Sequence, residues 1–182
     1  MNLGRNFLLV LVLFGFAAHA NANCVLSAGK RERLLKLEYL KFDQNLLGGG
    51  WRGLAKRECY IEAGQLIDEY MKVNTATLTV SEKRVLTWHA GQMYGFQGNV
   101  PLARARFAAS FNPEEPVDSP ILWNDYVAAT IAFLDSDMAA LKLHREHIAQ
   151  GPEFHAKKVN LNIVDNLIKH FGEPYKVAYN SN

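Results

Sequence analysis

Thr87–Phe111 reads TWHAGQMYGFQGNVPLARARFAASF. Two short helices meeting at a tight turn are predicted here. Gly91 and Tyr94, three apart, share one face of the first helix. Gly98 suits a positive φ after it, and Asn99 suits the cap of the next helix, whose first turn takes Pro101 without losing a hydrogen bond. On the second helix Ala103, Phe107 and Ser110 again fall on one face. A glycine opposed to an alanine lets the axes approach closely, and Tyr94 and Phe107 fill the space beside them.

The set Gly91, Tyr94, Ala103, Phe107 and Ser110 resembles a tetratricopeptide (TPR) repeat, with its small and aromatic positions on helix A and its alanine, aromatic and small positions on helix B. Residues 124–147 match more loosely, with Ala128, Ile131 and Ala140 in place of Gly91, Tyr94 and Ala103. There His144 and His147 replace Phe107 and Ser110, so the second copy departs from the pattern. The resemblance implies an all-α fold of antiparallel hairpins in a right-handed stack, with protein or peptide recognition on the concave side. An unrelated antiparallel bundle is the alternative that uses the same periodicity.

Outward from the hairpin, about seven helices and no sheet are expected. The leucines of 28–43 make a broad apolar face that Asp43-Gln44-Asn45 and Gly48–Gly50 end. Gly-Gly-Gly-Trp-Arg-Gly lacks the Lys-Ser/Thr of a phosphate loop and reads as a joint delivering Trp51 to the core. Residues 51–73 read as one amphipathic helix, 74–80 as an extended linker, and Ser81 as the cap of the Trp88 helix. Ser119-Pro120 reads as the start of the next helix and Asp135-Ser136-Asp137 as the cap of its partner. A last helix with a stripe from Val159 to Phe171 stops at Gly172 and Pro174, covering the open end of the stack.

Residues 1–20 read as a signal peptide: Arg5, the apolar run 7–18, and Ala18-His19-Ala20 as cleavage site, with Ala20-Asn21-Ala22 as an alternative. The run would span ~18 Å as a helix, short of the ~30 Å needed to cross a bilayer. Residues 24–178 then form a single helical domain, periplasmic or secreted on the assumption of a bacterial source. In such a compartment Cys24 and Cys59 are expected to form a disulfide. The net charge is +2, and the one basic concentration, Lys30, Arg31, Arg33 and Lys36, alternates with leucines as a solvated face does. Nucleic acid is not expected as a partner.

Helix geometry points Trp88 and Gln92 toward the concave groove of the first hairpin and Asp125 toward that of the second, with His89 at the edge. These four are the candidate partner-binding residues, although Trp88 reads equally as a plug of the core between neighbouring hairpins, and the expected function is a non-catalytic interaction module without cofactor. The alternative is a metal-dependent or hydrolytic enzyme using histidines and aspartates of the C-terminal half. His144 and His147, at i and i+3, would chelate a metal with Glu146 or His155, although Arg145 between them would oppose a cation. Solvated histidines are the simpler reading, and no metal is assigned. Asp125, Asp135 and Asp137 offer carboxylates, but capping accounts for the last two, and no Gly-x-Ser-x-Gly elbow exists.

Overall fold

Apolar residues at helical spacing take the chain through ten helices and no strand in the computed structural model, which describes residues 24–181. The expected signal peptide lies outside those residues. The helices are α1 (Ala28–Leu35), α2 (Tyr39–Phe42), α3 (Arg52–Ala55), α4 (Tyr60–Val73), α5 (Val80–Phe96), α6 (Val100–Ala109), α7 (Trp123–Leu134), α8 (Met138–Gln150), α9 (His155–Lys169) and α10 (Tyr175–Asn180). None is long and apolar enough to cross a membrane.

The two long N-terminal helices expected from periodicity are each broken. The first stops after Leu35 and resumes at Tyr39. The second splits where Glu58 takes a φ of 60° and Cys59 is held by Cys24 in a disulfide with a Cα–Cα distance of 5.3 Å. Pro174 does not stop the chain. It stands at the N-cap of α10, whose Tyr175 and Ala178 are buried.

α5 is the central helix, packed by α4 and α6 and touched by α10. Its start differs by two residues from expectation: Thr79, not Ser81, is the cap, in a reciprocal box with Glu82. Asn99 caps α6 through Leu102 N–H. Close approach rests on small residues. A Cβ at Gly91 would lie 2.8 Å from the Phe107 ring, one at Gly64 2.8 Å from Tyr94, and one at Gly95 2.6 Å from Tyr175. The five packing positions read from the sequence, Gly91, Tyr94, Ala103, Phe107 and Ser110, are all buried. Tyr94, however, turns back onto α4, where its hydroxyl donates to Asp68 at 2.7 Å.

These contacts set a prediction. In Gly91→Ala, a gain of about 1 kcal/mol in helix propensity opposes about 1–3 kcal/mol of overpacking against Phe107, which is fully buried. A net loss of about 1 kcal/mol is expected in equilibrium denaturation.

α7 and α8 form the second hairpin, and α9 packs against both. α7 begins at Trp123, not at Pro120, because Glu115 reaches back to accept from the N–H groups of Trp123 and Asn124 at 2.5 and 2.7 Å. Asp137 caps α8 as expected. Ala128, Ile131 and Ala140 are not sealed in a seam. They line an open cleft shared with Arg104 and Phe111.

Candidate functional site

The site begins at the end of α2. Gly50, with φ 55°, folds the chain back so tightly that a Cβ there would lie 1.8 Å from the Phe42 carbonyl oxygen. Only glycine fits, and the turn brings Trp51 and Arg52 over Asp43. The Asp43 side chain is fully buried. Its Oδ1 accepts from Trp51 Nε1 and from His89 Nδ1, both at 2.8 Å, and Oδ2 accepts from Gln44 Nε2 at 2.5 Å. Arg52 Nε donates to the Asp43 carbonyl at 2.7 Å, and its guanidinium carbon stands 4.3 Å from the Trp51 ring centroid.

α5 contributes His89 and, nearly one turn on, Gln92, whose Nε2 donates to the Tyr179 hydroxyl of α10 at 2.8 Å. Three parts of the chain, α2–α3, α5 and α10, thus supply two neighbouring polar groups, one around Asp43 and one between Gln92 and Tyr179. Burial alone would push the Asp43 carboxyl up, but the hydrogen bond and charge of His89, the Trp51 N–H and the Arg52 charge together hold it below the usual value. Burial pulls Arg52 below its ordinary value, and the Asp43 charge only partly offsets this. Burial and the same aspartate push the Tyr39 phenol up to about 12.

Above these groups lies a cleft of about 350 Å³. Leu46, Trp51, Tyr60, Met93 and Phe96 form its apolar lining; Arg52, Lys56, Gln92 and Tyr179 supply polar groups, and among the described residues no acidic one lines it. Lys56 is exposed, folds over Gly48, and has no ion-pair partner among the described residues. Lys176, close by over the Tyr60 ring, is committed to Glu58 at 2.7 Å. The arrangement can hold an anionic group between Arg52 and Lys56 and an apolar group against the aromatic wall.

The four groove residues read from the sequence separate. His89 and Gln92 come together here, with Gln92 lining the cleft. Trp88 does not face a groove: α7 covers it, and its ring lies 4.5 Å from Phe107, 4.8 Å from Tyr126 and 5.2 Å from Trp123 between centroids. Asp125 is engaged elsewhere, with His144 and His147. Sequence reading missed Asp43, Trp51, Arg52 and Tyr179 as site residues. One signal was present: a tryptophan bound for the core needs an acceptor for its indole N–H, and Asp43 precedes it across a glycine turn. No family model, curated protein or solved structure matches the chain.

Proposed function

We propose that this is an exported, non-catalytic, TPR-like interaction module that binds an acidic, apolar segment of a protein or peptide partner in the cleft over Asp43 and His89. The observation behind this reading is a lining that, among the described residues, has two cations and no acid, one of the cations an arginine whose burial is not fully compensated. A ligand carboxylate would restore that compensation through a geometry suited to guanidinium. Leu46, 72% exposed at the rim, and the Tyr60 and Phe96 rings offer the apolar contact. The glycine seams beside Phe107 and Tyr94 support the helical-repeat reading, and the Cys24–Cys59 bond supports an oxidising compartment.

The histidine does not need a chemical role in this account. His89 Nδ1 is bound to Asp43, and no hydroxyl or thiol is hydrogen-bonded to the imidazole among the described residues. A small cleft implies modest affinity, with Kd on the order of 1–100 µM.

Peptide-array binding with the purified chain tests the reading. Sequences pairing Asp or Glu with an aromatic or leucine are expected to be enriched, and Lys56→Glu is expected to weaken them about tenfold while leaving folding unchanged. Enrichment of basic peptides, or equal binding by Lys56→Glu, would remove the acidic-partner assignment.

A further inference from the structure

A second polar cluster forms where α7 and α8 face each other, built from other helices than the cleft. His144 and His147 stand one turn apart on α8, and Asp125 in the first turn of α7 lies opposite both. Asp125 Oδ1 is 2.8 Å from His144 Nδ1 and 2.9 Å from His147 Nδ1. Donor atoms of all three residues lie within 4.8 Å of one another.

The two carboxylate–imidazole separations are close to what a bound ion requires. Donors ~2.1 Å from a metal stand ~3.0 Å apart in octahedral and ~3.4 Å apart in tetrahedral coordination. An ion replacing the two Nδ1 protons needs the two carboxylate–imidazole distances to open slightly and, with the donor set bounded at 4.8 Å, the imidazole pair to close by at most ~1.4 Å to the tetrahedral value. The helices that hold the donors pack against each other along the hairpin, so the ligands are largely pre-positioned.

Charge does not oppose the ion. Arg145 turns away from the two histidines to Asp165, at 2.8 Å, and Glu146, at 3.1 Å. Arg104, on the far side of the neighbouring cleft, donates to both oxygens of Asp135 at 2.7 and 2.9 Å. Two imidazoles and one carboxylate suit zinc and disfavour calcium and magnesium, which take all-oxygen shells.

We propose that Asp125, His144 and His147 form a three-ligand zinc site with its remaining coordination open to exchangeable water. His144 also lines the cleft of about 360 Å³ with Ala128, Ile131 and Ala140, so that cleft adjoins the metal. The site is independent of the acidic-partner cleft, and either assignment survives failure of the other.

The test is isothermal titration calorimetry of the purified, tag-free chain, stripped with chelator, against zinc chloride. One zinc per chain with Kd of ~1 µM or tighter is expected. His147→Ala and Asp125→Asn should each weaken binding at least about tenfold. His147 is 48% exposed on its side chain, so its removal leaves the fold intact, which circular dichroism checks. His170→Ala, at a histidine bound to Glu173 beyond α9, should leave zinc affinity unchanged. Absence of binding at 100-fold the expected Kd would overturn the proposal. So would a zinc affinity indifferent to His147→Ala and Asp125→Asn, or one lost in His170→Ala.

Discussion

Asp43→Ala is expected to lose about 3–5 kcal/mol of folding stability in equilibrium denaturation, because it leaves buried donors without their acceptor. The carboxylate takes Trp51 Nε1 and His89 Nδ1 at one oxygen and Gln44 Nε2 at the other, in full burial. Alanine removes three charge-assisted bonds together and opens space beneath Trp51. Asp43→Asn retains one acceptor oxygen and should fall between alanine and the parent. The same carboxyl gives a pH signature. Its folded pKa is lowered despite burial, so its contribution is fully present above the unfolded value of about 3.9 and is lost as pH falls through the lower folded value. Asp43→Ala should therefore lose part of the acid dependence of stability as well as its magnitude. A loss below about 1 kcal/mol would mean that Trp51 and His89 are held by packing alone.

Removing the disulfide by Cys24→Ser with Cys59→Ser is expected to cost about 3–4 kcal/mol, from the chain entropy of a loop with a sequence separation of 35. The loss should be unevenly spread. Cys59 stands at the N-cap of α4, just beyond the short α3 that carries Arg52. Hydrogen exchange should thus rise first across α1 to α3, while α7–α9 keep their protection. Denaturation with and without reductant measures the magnitude, and an unchanged midpoint would contradict it.

What was legible in the sequence follows from how local each determinant is. Gly98, Asn99 and Pro101 specify the α5–α6 turn within a few residues, so the hairpin and its packing face were readable. With only two cysteines in the chain, their pairing followed once an oxidising compartment was read from the N-terminal segment. That His89 and Gln92 lie near each other was readable because one helix fixes their spacing. Their true neighbours were not readable: Asp43 sat among turn-forming residues and read as a helix stop, yet Gly50 folds Trp51 back onto it. Whether Trp88 faces a groove or plugs the core between neighbouring hairpins depends on how the hairpins stack, and α7 brings Trp123 and Tyr126 against it. Gly172 and Pro174 read as an end, although proline equally begins a helix, and α10 then delivers Tyr179 to Gln92. For the zinc cluster, the i, i+3 histidine pair was visible, but its third ligand depends on the register of α7 against α8.

Site-specific photo-crosslinking in the native cell tests the acidic-partner cleft most directly. The reactive group goes at Leu46, exposed at the cleft rim, and a control goes at Lys142 on the exposed side of α8. The expected result is a discrete adduct from Leu46 alone, mapped to an acidic segment and lost when Arg52→Gln and Lys56→Glu are combined. Equal adducts from both positions, or a Leu46 adduct that survives loss of both cations, would contradict the assignment.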